Sequence, residues 1–361
     1  MKDKFKSFEN LPVVVISTFG HCAVDWLGNL LDSHPQVIHA PPLSYFRKLK
    51  NYQNLENIFI EKLELGKLVN FTMNNILEKS NYKSYNYFEN NKKKNYFKNC
   101  LIDYLKQSEE KNIYRKLFFA INYSFAKMNR INIKKIKIIL AHEHTAWNCS
   151  FYKDLFNSKF IFMIRDPRAT FAGSFRAFDR YINFPKSYKM DIVLSFWVAA
   201  EKFVNKNNKK IVYVVKNENI NKNIKLEVTK LSKWLKIKYD KTLLCPTYLG
   251  RKWHGDSSYL GKFERKKPLP KNYYSQENVK KRWEDYLDKK TILVIETVFE
   301  KLMNKFGYKL QNNLNYQKRF FAYFYLLFGY EDKKNILTRS YYLLKNCIRR
   351  ILIINFNRYH K

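Results

Sequence analysis

The stretch Val13-Val14-Val15-Ile16-Ser17-Thr18-Phe19-Gly20-His21-Cys22-Ala23-Val24-Asp25-Trp26-Leu27-Gly28-Asn29-Leu30-Leu31-Asp32-Ser33-His34-Pro35 decides the fold. Its Val/Ile run predicts a buried strand, followed by a short loop of small residues and then a helix. Leu27, Leu30 and Leu31 fall at i, i+3 and i+4 on one face of that helix, and His34-Pro35 stops it. A strand–loop–helix element turns backbone N–H groups and the positive end of a helix dipole toward whatever sits on the loop, so it suits an anion. A plain connection between strand and helix would have the same pattern. A Walker A loop needs G-x-x-x-x-G-K-[ST], and Gly20 is followed by no such Gly-Lys pair.

A second stretch repeats the pattern: Lys159-Phe160-Ile161-Phe162-Met163-Ile164-Arg165-Asp166-Pro167-Arg168-Ala169-Thr170-Phe171-Ala172-Gly173-Ser174-Phe175-Arg176. A buried strand ends at Arg165. Asp166 reads as an N-cap and Pro167 as the first helical residue, so a helix begins at once. Arg165 then stands at the C-terminal edge of a sheet, where open α/β folds bind ligands, and its guanidinium offers paired donors to a phosphate. Pairing with a local carboxylate is the alternative.

Five β-rich runs, Val13–Ser17, Val37–His39, Lys137–Ala141, Phe160–Ile164 and Ile211–Val215, alternate with helix-compatible stretches. That alternation predicts an α/β fold in three layers, a central parallel sheet flanked by helices. Residues 44–130 read as a helical insertion on the acceptor side of a domain spanning 11–310, with the polar run Asn90–Asn99 as a solvated loop. Residues 311–361 read as a basic, aromatic helical extension.

In these paired motifs the chain resembles the P-loop-like sulfotransferases that use 3′-phosphoadenylyl sulfate. That family continues its first loop as Trp-Leu-x-x-Leu-Leu-x-x-His-Pro, matched here by Trp26 to Pro35, and ends a later strand in Arg-(Asp/Asn)-Pro, matched by Arg165-Asp166-Pro167. The resemblance covers about residues 11–310. It implies that Gly20, His21, Cys22, Ala23, Val24, Asp25 and Trp26 hold the 5′-phosphosulfate. It also implies that Arg165 and a helical Ser hold the 3′-phosphate, and that Arg251 and Lys252, in Leu249 to Ser257, belong to a loop closing over the nucleotide. Trp283 to Leu287 and Phe306-Gly307-Tyr308 look like the family's closing helices.

Two departures stand out. The family's loop carries a basic residue before Ser-Gly-Thr; here His21 precedes Cys22-Ala23-Val24-Asp25, leaving more of the anion binding to backbone donors. Sulfuryl transfer needs no thiol, so Cys22 reads as a small loop filler rather than a nucleophile. The helical Ser is expected at position 173, which is Gly173. Ser174, one residue and about 100° of helix rotation further on, is the expected substitute.

In-line transfer of SO₃ needs a base for the acceptor and positive charge or N–H donors for the departing phosphate. Lys137-Ile138-Ile139-Leu140-Ala141-His142-Glu143-His144-Thr145 supplies the base candidates, because its strand discharges two imidazoles and a carboxylate at the sheet edge. Members of the family place a catalytic His or Glu near here. His142 is the expected base, with Glu143 and His144 orienting or tuning it. H-x-H can also chelate zinc, but the sequence locates no third ligand, so no metal is expected.

The chain has 361 residues with 68 Lys+Arg against 31 Asp+Glu, a net charge of +37, and its 46% apolar content excludes disorder. The Lys excess travels with abundant Asn, Ile, Tyr and Phe, a composition that AT-rich coding favours whatever the function. A nucleic-acid-binding protein is therefore suggested by charge alone, with no reader motif. A P-loop-like nucleotide kinase is the other alternative, against which the missing Gly-Lys stands. Five scattered cysteines without a C-x-x-C pair, and an N-terminus without a signal-like apolar segment, fit a reduced cytoplasmic protein. The expected reaction is sulfuryl transfer to a hydroxyl or amine, on a carbohydrate or glycolipid, leaving adenosine 3′,5′-bisphosphate. In the tail, aromatic residues flanked by cations, Lys318 to Phe328 and Tyr341 to Ile354, suit a membrane interface or a second subunit.

Overall fold

The computed structural model describes residues 2–40, 65–77, 87–181, 186–253, 283–329, 345 and 347–354. Parts of the expected 44–130 insertion (44–64 and 78–86) lie outside the described residues, as do His254 to Ser257 of the late loop and Tyr341 to Leu344 of the tail. The Val/Ile/Phe runs form β1 (Val13–Thr18), β2 (Val37–His39), β3 (Ile138–His142), β4 (Ser158–Ile164) and β5 (Val212–Lys216). They make one five-stranded sheet in the order β2-β3-β1-β4-β5, with every pairing parallel. All residues of β1, β2 and β3 are buried, as a parallel sheet covered on both faces requires.

The order places the site. The connection leaving β1 runs toward the β2 edge, while those leaving β3 and β4 run the other way. Right-handed crossovers therefore send their helices to opposite faces and open a crevice at the carboxyl ends of the central strands. Register aligns Ile16 with His142 and Thr18 with Met163, two residues before Arg165. The loop after β1, the His-Glu-His segment and Arg165 thus emerge at one edge.

Beneath the loop lies an aromatic stack. Phe19, wholly buried, packs on Trp197 at 4.9 Å and edge-on to Phe162 at 5.9 Å, and Trp197 meets Phe299 at 5.1 Å. Burial of a ring this size holds the chain down on the core, so the turn to the helix is made within the next few residues. Gly20 takes φ +100°, open to glycine and strained for other residues.

His34 ends the helix Val24–Leu31 as expected and is itself buried, its Nε2 2.9 Å from the Lys238 carbonyl while its Nδ1 accepts from the Gln36 N–H.

The polar run Asn90–Asn99 is not a loop. It opens the helix Asn91–Gln107, because Asn90 accepts from the Lys93 N–H at 2.9 Å as an N-cap. Phe97, Leu101, Tyr104 and Leu105, at i, i+4, i+7 and i+8, bury the inner face. The lysines and asparagines are its solvated side. Trp283 to Leu287 forms a turn rather than a helix, and Gly307, φ +68°, ends the helix Lys289–Lys305 that precedes Phe306.

Candidate active site

The loop from Thr18 to Ala23 is held from within. The Thr18 hydroxyl donates to the Gly20 carbonyl at 3.0 Å and lies 3.1 Å from the Gly20 N–H, and the Asn217 amide donates to the Cys22 carbonyl at 3.3 Å. Ala23 is left-handed at φ 65°, and the helix behind it starts without a side-chain cap. A left-handed residue just before uncapped helical N–H groups makes a concave, donor-lined site.

The side chains of this loop divide by role. Cys22 is buried, 3.4 Å from the Thr170 hydroxyl, and burial pushes its thiol pKa up, so it fills space as expected. Val24 is buried and Trp26 half-buried against the core. His21 stands edge-on to Phe178. Crowding by surrounding protein, then the field of Arg165, pushes its pKa down to about 4. Its ring still meets solvent, which softens that shift, yet both causes act to keep the imidazole neutral at pH 7.

Arg165 leaves β4 as expected. Asp166 caps the helix Pro167–Tyr181 by accepting from the Arg168 N–H at 2.9 Å. The Arg165 guanidinium folds over the first turn, donating to the Ala169 carbonyl at 2.6 Å and to the Thr170 hydroxyl at 3.4 Å. Gly173 leaves the space it occupies: a Cβ there would approach Nη2 inside the 3.0 Å that Cβ atoms essentially never breach. The residue standing where the family has Ser is therefore the floor beneath the guanidinium.

Ser174 corrects the expectation. It is wholly buried and its hydroxyl has no hydrogen-bond partner among the described residues, because the helix rotation from Gly173 turns it into the core. On the outward face with Gly173, at i+3, is Arg176. Its guanidinium lies 4.5 Å from the Tyr286 ring centre. No motif marks Arg176 in the sequence; its i+3 spacing from Gly173 is the signal that places it there.

At the end of β3 the three predicted groups separate. Glu143 is buried and turns back, accepting from the Thr145 N–H at 3.2 Å, the Thr145 hydroxyl at 2.9 Å and the Asn148 amide at 3.3 Å. It shapes the turn and does not face the crevice. His142 and His144 do pair, with ring centres 4.4 Å apart. The third member of the group is Asp25, from the first turn of the helix Val24–Leu31, whose Oδ1 is 3.4 Å from His142 Nδ1. One nitrogen or oxygen from each of Asp25, His142 and His144 lies within 4.8 Å of the others, close enough to share a proton or a cation.

Burial, then the neighbouring His144, pushes the His142 pKa down to about 3, with Asp25 pulling the other way. A base that weak takes no proton at neutral pH, whereas His144 is exposed to the crevice. Of the two imidazoles, His144 is therefore the one whose exposure suits a base, and the buried His142 does not fit the role expected of it.

Arg251 and Lys252 are not part of this cluster. They form β7 (Arg251–Lys252), paired antiparallel with β6 (Thr247–Tyr248). Asp32, at the C-terminal end of the helix Val24–Leu31, holds that hairpin by accepting from the Thr247 hydroxyl and the Gly250 N–H, both at 2.8 Å. The hairpin thus sits at the end of that helix away from the loop, and Arg251 pairs with Glu89 at 3.0 Å.

No protein-family model matches the chain, and no curated protein matches it by sequence. Among solved structures it is similar to the sulfotransferase domain of the Synechococcus PCC 7002 olefin synthase, with 14% identity, coverage of 83% of this chain and 95% of that one, and a TM-score of 0.45. It is also similar to the sulfotransferase domain from the curacin biosynthetic pathway, with 14% identity, coverage of 83% and 99%, and a TM-score of 0.47. Likeness at this level leaves the function to be argued from the residues.

Proposed function

We propose that the chain is a sulfotransferase moving a sulfuryl group from 3′-phosphoadenylyl sulfate to a hydroxyl or amine of a carbohydrate or glycolipid. The observation that carries the reading is convergence: an uncapped, left-handed loop after β1, a half-buried arginine after β4 and an exposed histidine after β3 meet at one sheet edge. An oxyanion donor suits the loop, and a second phosphate suits the Arg165 guanidinium.

In the proposed reaction the acceptor oxygen or nitrogen forms a bond to sulfur as the bridging oxygen leaves with its electron pair on the phosphate. His144 takes the acceptor proton. Asp25 stabilises the resulting imidazolium, as a carboxylate does beside a catalytic histidine. The helical N–H groups after Ala23 meet the charge that develops on the phosphate. The half-buried Trp147, stacked on Phe196 at 5.2 Å, gives an apolar wall three residues from His144 that suits the face of a sugar ring.

Calorimetry with adenosine 3′,5′-bisphosphate, ATP and an oligonucleotide tests the reading. The bisphosphate is expected to bind and Arg165→Ala to abolish the signal. Failure of the wild-type chain to bind it overturns the proposal, and heat from ATP or the oligonucleotide alone would favour a kinase or a nucleic-acid binder.

A further inference from the structure

The helix Tyr316–Phe328 lies on the body with its aromatic side outward. Ala322 and Leu326 are its buried residues, while Tyr316 is 83% exposed, Phe320 65%, Phe324 53% and Tyr323 44%. Burial of Ala322 and Leu326 sets which side of the helix faces out. Its Arg319 is clamped on both carboxylate oxygens of Glu300, at 2.8 Å to Oε1.

A second helical segment, 347–354, continues the surface. Arg350 Nη1 donates to the carbonyls of Leu326 at 2.8 Å and Leu327 at 2.9 Å, and its Nε pairs with the buried Asp191 at 2.7 Å. These bonds seat the segment against the end of the helix Tyr316–Phe328, with Ile348 50% and Ile351 43% exposed.

Two pieces anchored on the body therefore carry apolar side chains on their outer side. Of the cations in residues 316–329 and 345–354, Arg319 is paired with Glu300 and Arg349 and Arg350 with Asp191, while Lys318 and Lys345 are exposed beside the rings. Aromatic rings beside exposed lysines, on a chain of net charge +37, match the boundary of a bilayer bearing anionic headgroups: Tyr and Phe enter the headgroup layer while the lysines meet the phosphates. No helix among the described residues is long and apolar enough to cross a membrane, so the contact lies in the plane of the surface. We infer that this face docks the protein on an anionic lipid surface.

This inference rests on the tail and not on the proposed reaction. Co-sedimentation of the full chain with vesicles of phosphatidylcholine alone, and with added phosphatidylglycerol, tests it. Binding is expected only to the anionic vesicles, and Phe320→Ser/Phe324→Ser is expected to weaken it at least about tenfold. Both positions are exposed, and an unchanged thermal melt will show that the variant is folded; Lys318→Glu, which leaves the rings in place, is a second variant expected to weaken binding. No pelleting with anionic vesicles, or equal pelleting of wild type and the Phe variant, overturns the inference. A dimer by light scattering that the same double substitution dissociates also overturns it, assigning the face to a second copy of the chain.

Discussion

Gly173 lies directly beneath the Arg165 guanidinium, leaving no room for a Cβ between the helix Pro167–Tyr181 and Nη2. The obstructing atom is the far end of a flexible side chain, so a methyl group there moves the guanidinium rather than the backbone. Helical alanine is favoured over glycine by about 1 kcal/mol. Gly173→Ala is therefore expected to leave the melting temperature unchanged or raised while lowering bisphosphate affinity roughly tenfold, the worth of one charge-assisted bond at about 1.5 kcal/mol. Calorimetry alongside a thermal melt reads both.

Ser174 makes the opposite prediction. Its buried hydroxyl has no partner among the described residues, so Ser174→Ala removes a polar group that gains nothing from them. Bisphosphate affinity is expected to stay within about twofold of wild type, and stability not to fall. A large loss of affinity would return Ser174 to the phosphate site.

The two histidines separate by kinetics. His144→Ala is expected to lower kcat by about 10²- to 10⁴-fold with little change in donor KM, as for loss of a general base. His142→Asn keeps a polar side chain beside Asp25 and is expected to cost less. The reverse order would restore His142 as the base. Asp25 supplies the third group that the H-x-H pattern lacked, so chelator separates the two uses of the cluster: unchanged turnover is expected for a proton relay, and loss of turnover would assign it to a metal.

His142 also sets a pH dependence of stability. Its pKa falls from 6.5 in the unfolded chain to about 3 when folded. Between those values the unfolded chain binds the extra proton, so this contribution is complete above pH 6.5 and is lost as pH falls toward 3. Denaturant melts across that range are expected to show a shallower acid limb in His142→Asn than in wild type.

Arg168, three residues past Arg165, has structural work. Its guanidinium bonds Asp166 at 2.6 Å, Glu296 at 2.5 Å and the Lys309 carbonyl at 3.0 Å, and Glu296 is wholly buried. Arg168→Ala removes the countercharge of that carboxylate, which keeps only the neutral donors of Gln311 and Asn312, and is expected to cost about 3–5 kcal/mol in urea unfolding. A near-wild-type midpoint would mean that water replaces the pair.

The sequence by itself determined the strands, the parallel sheet and the residues at its carboxyl edge. Runs such as Val13–Ile16 and Phe160–Ile164 are local signals, set by the burial that each strand needs on both faces, and Asp166-Pro167 announces a helix start within two residues. Tertiary structure alone decided what faces what. Asp25 meets His142 only because β3 inserts beside β1, a pairing that no local pattern encodes. One residue of helix rotation sends Ser174 to the core and leaves Gly173 under Arg165. Arg251 is carried to the other end of the helix Val24–Leu31 by Asp32, and Glu143 is turned inward by Thr145 and Asn148. Composition misled at Asn90–Asn99, where a cap and four spaced apolar side chains outweigh a polar majority. Side-chain direction depends on contacts between distant segments, and those contacts chose the members of the site from candidates that the sequence had gathered at one edge.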